Sequence, residues 1–178
     1  MNVRFAPDFA DVSASLKVFD RGDYEVKTTA VDPFAYIKSD EKKGEYVVCG
    51  ASLKLEMVGK LGHDGSIISS DDEGESVVPL RLYMHSRKGW GFTKGIIMSL
   101  MGYVADREEE FNAIVGDLDF GLTPQGEEPD DEGAWSVVEA GAAWQQLVGV
   151  RNHVTLSKRI YEEREQQEMK NWRPVPTS

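Results

Sequence analysis

Between Tyr46 and Val58 the chain alternates cleanly: Val47, Cys49, Ala51, Leu53, Leu55 and Met57 fall on one side, and Tyr46, Ser52, Lys54 and Glu56 on the other. Period-two alternation over that length gathers the apolar groups on one face of a β-strand, whereas a helix through the same residues would scatter them around its circumference. A one-sided strand of this kind needs antiparallel neighbours and an apolar cover. Two further segments share the pattern. Tyr24 to Ile37 is rich in strand formers, with Tyr24, Val26 and Thr28 set against Glu25, Lys27 and Thr29. Val77 to His85 places Val78, Leu80, Leu82 and Met84 inward and Arg81, Tyr83 and His85 outward. The Lys38–Gly44 run is a polar turn, and Gly59 to Ser76 reads as a hairpin loop.

After Gly89-Trp90-Gly91 the period changes. Phe92, Ile96, Ile97, Leu100 and Met101 form one stripe of a helix ending near Gly102. Asp106 and Glu109 are spaced as a capping box for a short second helix carrying Phe111, Ile114 and Val115. Residues 121–133 are a Pro/Gly/acid loop expected to be disordered. Trp135 to Val148 reads as helix again, burying Val137, Trp144, Leu147 and Val148. Val150 to Tyr161 returns to strand, with Val150, Val154, Leu156 and Ile160 on one face and Arg151, His153, Thr155, Arg159 and Tyr161 on the other. Gln167 to Val175 pairs back after a Glu162–Gln166 turn, and Pro174 and Pro176 end it. The expectation is an α+β, mainly β chain forming one domain over residues 1–178. It has a lead-in (1–20), barrel strands (22–88), a helical insertion (90–148) and closing strands (149–175). Strands, then inserted helices, then strands suggest a small antiparallel OB-like barrel.

The formal charge of −11 is unevenly spread. Asp106 to Glu132 holds eleven acids and a single base, Arg107, so the remaining residues are close to neutral. Val77 to Ala105 holds Arg81, Arg87, Lys88 and Lys94 and no acid. An acidic chain can therefore present a locally basic face, because screening makes nearby charge count for more than the total. The single Cys closes no internal disulfide, and Cys49 lies on the apolar face of the cleanest strand as a small core group. No run is long enough to span a membrane, and Met1-Asn2-Val3-Arg4-Phe5 lacks the apolar stretch of a signal peptide. A soluble, cytoplasmic protein is expected.

Most catalytic signatures fail on spacing. Gly89 to Gly95 has the glycines of a phosphate loop without the Gly-Lys-Ser/Thr that follows them. His63, His85 and His153 are too far apart for a helical zinc pair, and no cofactor is implied. Asp117-Leu118-Asp119 sits in the acid-rich window, where such pairs arise readily. Pro7-Asp8 with Glu25-Val26-Lys27 matches the loose pattern of magnesium nucleases, in which two carboxylates hold the metal and a lysine orients water. Glu25 and Lys27 are equally well explained as the exposed face of a strand. What remains is a basic–aromatic set on outward strand faces: Arg81 and Tyr83; Arg151, Arg159 and Tyr161; Lys170 and Trp172; and Arg87, Lys88 and Trp90 after the Arg81 strand. Cations track a phosphate backbone while aromatic rings stack on unpaired bases, so the set suits single-stranded nucleic acid. The same residues suit half-buried interface groups, and on the residues alone the two readings are even.

Segment order adds a resemblance. Gly22-Asp23-Tyr24-Glu25-Val26 looks like a "G-x-Y-x-V" opening strand, and Trp90 to Gly102 like a "W…L…G" helix. Leu147-Val148-Gly149 followed by Met169-Lys170-Asn171-Trp172-Arg173-Pro174 looks like an "L-[VI]-G … N-x-V … P" finish. Over residues 22–175 this order resembles a family of small bacteriophage single-stranded-DNA-binding proteins from replication and recombination modules. The resemblance implies an oligonucleotide-binding barrel without catalysis, acting in the cytoplasm of an infected bacterium. Its partners would be single-stranded DNA and replication or recombination proteins, and it allows a homo-oligomer. The ending Pro174-Val175-Pro176-Thr177-Ser178 lacks the acidic tip through which bacterial single-stranded-DNA-binding proteins recruit enzymes. The alternatives are a virion-structural or protein-interaction module with acidic binding loops, and a magnesium nuclease.

Overall fold

The computed structural model describes residues 17–42, 44–85, 87–124, 135–137 and 141–176. Two long strands, β1 (Gly22–Asp40) and β2 (Gly44–Leu61), form an antiparallel hairpin turned by Asp40, whose carboxylate accepts from the Lys42 amide at 2.7 Å. β2 continues past the expected loop start and pairs with a short β3 (Ile67–Ser69). The free edge of β2 also carries β4 (Ser76–Tyr83), while β1 carries β7 (Arg151–Tyr161), and β8 (Arg164–Pro174) follows on β7. Helix α1 spans Arg87–Leu100, α2 Glu108–Val115 and α3 Ala142–Gln145, and a small hairpin joins β5 (Leu122–Pro124) to β6 (Trp135–Val137).

The mainly antiparallel architecture is as expected, but the six-stranded ladder does not close on itself. α1 packs against β4, β7 and β8, so a helix lies where barrel closure would need a strand. Bulges bend the long strands: Thr29 is the extra residue of β1 against β2, and Val78-Pro79 that of β4. Pro79 has no N–H to give to a ladder, which suits it to a bulge. The core lies on one face of the sheet under α1, α2 and α3, with Val26, Leu53, Met57, Leu82, Ile97, Trp144, Val154 and Leu156 fully enclosed. Among the described residues no helix is long and apolar enough to cross a membrane.

Four local expectations are corrected. Phe92 is 59% exposed rather than part of the buried stripe. The hydroxyl of Thr93, fully buried, donates to the Tyr83 carbonyl at 2.8 Å, and this rotates α1 so that Ile96, Ile97 and Leu100 face the core. Asp106 caps neither helix among the described residues; Ala105–Arg107 is a 3-10 turn, and Arg107 pairs with Glu110 at 2.6 Å. Residues 135–148 are not one helix. β6 pairs with β5, and at Gly141 a side chain would meet the Asp119 carbonyl at 2.2 Å, so α3 is confined to Ala142–Gln145. Trp144 closes this region, its indole N–H donating to the Phe120 carbonyl at 2.8 Å. The β7–β8 turn is Glu162-Glu163 rather than a longer loop, and most of the expected acidic loop, residues 125–134, lies outside the described residues.

Candidate nucleic-acid interface

On the face of β1, β2 and β4 turned away from the core, register brings separate stretches of sequence together. Phe34, Gly50 and Tyr83 form one cross-strand row, and Asp32, Ser52 and Arg81 the next. Gly50 lets the rings of Phe34 and Tyr83 meet across β2, edge to face at 5.8 Å. The array extends both ways: Phe34 stacks with Tyr36 (6.0 Å, 23°), Tyr83 meets His85 edge-on (5.8 Å), and His85 stacks with Tyr46 (6.3 Å, 28°). Arg81 lies over the Phe34 ring at 5.3 Å and has no ion-pair partner among the described residues. Tyr36 is 44% exposed and Arg81 is exposed, while Phe34, Tyr46, Tyr83 and His85 are half-buried with Val48 beneath them. Aromatic rings on an outward strand face offer π surface of the kind on which unpaired bases stack, and a guanidinium beside them supplies positive charge.

The sequence points to Arg81 and Tyr83 here and misses Phe34, Tyr36 and Tyr46. The Asp32, Phe34, Tyr36, Lys38 alternation carries the signal, but only the β1–β2 register joins it to Tyr83.

The other expected residues do not all join this array. Arg87, Lys88 and Trp90 belong to the first turn of α1, just after β4, and their side chains lie outside the described residues. Arg151, Arg159 and Tyr161 share the outward face, but β7 pairs with the start of β1, so they lie towards the opposite end of the sheet from Phe34. Arg159 is spoken for: it lies 3.5 Å from Glu168, donates to Gln166 at 3.0 Å and sits over Tyr161 at 5.9 Å. The expected common face for Lys170 and Trp172 is corrected by a bulge. Asn171 takes φ 55°, a left-handed conformation that Asn tolerates, and slips the register between the partners of His153 and Thr155. Lys170 stays exposed, while Trp172 turns with Met169 against the core.

Glu25 of the nuclease expectation is buried between β1 and β7, with one oxygen 3.3 Å from His153 Nε2 and the other 3.4 Å from Arg151. Both oxygens face cations or an imidazole, an arrangement of a structural ion pair. Asp8 lies outside the described residues. Beside this pair, the Thr155 hydroxyl, with help from Arg173, holds the Asp23 carboxyl below the usual aspartate range.

A cleft of about 580 Å³ opens between α1 and β8. Phe92, Met98, Tyr103, Met169 and Trp172 make its apolar walls, and Lys94, Glu108, Lys170 and Arg173 its polar rim. Lys94 bridges to Glu108 at 2.7 Å. The indole N–H of Trp172 is buried without an acceptor among the described residues, which costs about 1–3 kcal/mol while unmet. Compared with known proteins, the chain matches no protein-family model and no curated protein.

Proposed function

We propose that the chain is a non-catalytic single-stranded-DNA-binding protein of the phage replication and recombination kind, with the outward face of β1, β2 and β4 as its base-stacking platform. The observation that carries this reading is the continuous array Tyr36–Phe34–Tyr83–His85–Tyr46 with Arg81 lying over it. Unpaired bases present both π faces, which a duplex hides, so the array selects single strands and is indifferent to base identity. The outward face of the open sheet takes the place of an OB-like groove, and Arg81, with Arg87 and Lys88 close behind it in sequence, supplies charge for the phosphates. Single-stranded RNA presents the same stacking faces, and the choice of DNA rests on the resemblance.

Fluorescence anisotropy with labelled oligo-dT and the matching duplex, at low and moderate salt, tests the reading. Saturable binding to the single strand, weaker for duplex and falling with salt, supports it. No single-strand binding at low salt and micromolar protein overturns it.

A protein-interaction or virion-structural module is the second reading. It is favoured by Ile37 and Ile160, 69% and 76% exposed on the far ends of the two long hairpins. Light scattering separates the two: a large assembly indifferent to oligo-dT favours the module.

A further inference from the structure

We infer that the cleft between α1 and β8 is a second nucleotide subsite that takes an unstacked base from the same strand held by the β1–β2–β4 platform; the inference rests on that platform reading. Three observations lead there. Helix α1 connects the two regions: it starts just after His85, is fastened to β4 by the Thr93 hydroxyl on the Tyr83 carbonyl, and lines the cleft with Gly91 and Phe92.

The chemistry of the cleft fits a nucleotide. Its walls offer the rings of Phe92, Tyr103 and Trp172, and its volume of about 580 Å³ falls in the range of small-molecule sites. The rim carries three bases, Lys94, Lys170 and Arg173, to one acid, Glu108. Lys94 is matched by Glu108 and Arg173 lies 3.4 Å from Asp23, whereas the exposed Lys170 has no ion-pair partner among the described residues and is open to a phosphate. The Trp172 ring lines the cleft, and its buried N–H lacks an acceptor among the described residues, which every nucleobase can provide.

The helix is also cut away where a ligand would lie. Gly91 and Gly95, one turn apart, both line the cleft, and among the described residues a side chain at either would meet nothing within 4 Å. Packing among the described residues therefore gives no reason for two residues that weaken a helix, whereas close approach of a bound group does. Phe92, exposed between them, has a reason to be apolar if a base covers it.

Gly95→Leu tests the inference, because it fills the cleft from an exposed helical position while favouring the helix. Anisotropy is read with an oligo-dT ladder spanning about 4–16 nucleotides, for the wild type and the variant. The expected result is equal affinity for the shortest strands, which the platform alone holds. Longer strands, which reach the cleft in the wild type, should bind the variant about tenfold more weakly, the effect of one stacked base. Circular dichroism establishes that the variant is folded, and Lys170→Glu should weaken the same long strands selectively. Equal affinity of wild type and Gly95→Leu at every length overturns the subsite and leaves the platform standing. Loss of binding by the wild type at every length overturns both.

Discussion

Gly50 shows how one residue decides both the fold and the face built on it. A methyl group there would sit 1.8 Å from the Leu82 carbonyl oxygen, backbone that cannot yield without parting β4 from β2. Gly50→Ala should therefore destabilise the protein by about 1–3 kcal/mol, the scale of overpacking, and urea unfolding would measure it. The same substitution pushes Phe34 and Tyr83 apart, so binding should suffer beyond what stability explains. Phe34→Ala and Tyr83→Ala separate those effects. Each removes a stacking ring from a half-buried outward position and should weaken oligo-dT by about 1–3 kcal/mol with a smaller change in stability. Asp23 marks a pH dependence. Its carboxyl is held low by Thr155 and then Arg173, so its stabilisation is complete above the usual aspartate range and is lost as pH falls through the depressed value. In urea unfolding across a pH series, Asp23→Asn should lie below the wild type near neutrality, and the two should converge in acid.

At the scale of elements, the β7–β8 hairpin holds a strained turn. Glu162 and Glu163 both adopt positive φ, 48° and 63°, the pattern of a type I′ turn that favours Asn-Gly. Replacing the pair, Glu162→Asn with Glu163→Gly, should raise stability by about 1–2 kcal/mol, seen as a higher Tm, without changing affinity for oligo-dT. The amphipathic strands were legible because period-two alternation is local: the inner face of β2 reads directly from Ala51, Leu53, Leu55 and Met57. Bulges were not legible, since an extra residue such as Asn171 leaves only a slip of phase; that slip turns Trp172 away from Lys170. The binding face was half legible for a related reason. Arg81 and Tyr83 lie on one strand, but their meeting with Phe34, Tyr36 and Tyr46 depends on register between distant segments. Residues 135–148 failed as a helix because Gly141 lies against the Asp119–Gly121 backbone and β6 pairs with β5, contacts that helical periodicity does not record.

For the whole molecule, the net charge of −11 sets the terms of any encounter with a polyanion. Affinity must come from a few local cations beside stacking rings, because long-range attraction is absent. If about three phosphates are neutralised, the logarithm of the binding constant should fall with the logarithm of salt at a slope of about −2, shallow for a nucleic-acid-binding protein. Salt titration of oligo-dT binding checks this, and a steep slope would mean that a wider basic surface is engaged. Photocrosslinking reports where bases rest on the protein. A halogenated-uracil oligonucleotide bound to the full chain is irradiated, and the adducts are mapped by mass spectrometry. Adducts are expected on Phe34, Tyr36, Tyr46 or Tyr83, the rings of the β1–β2–β4 face. Adducts confined to Tyr161 on the far hairpin, or none from a saturated complex, would contradict that placement.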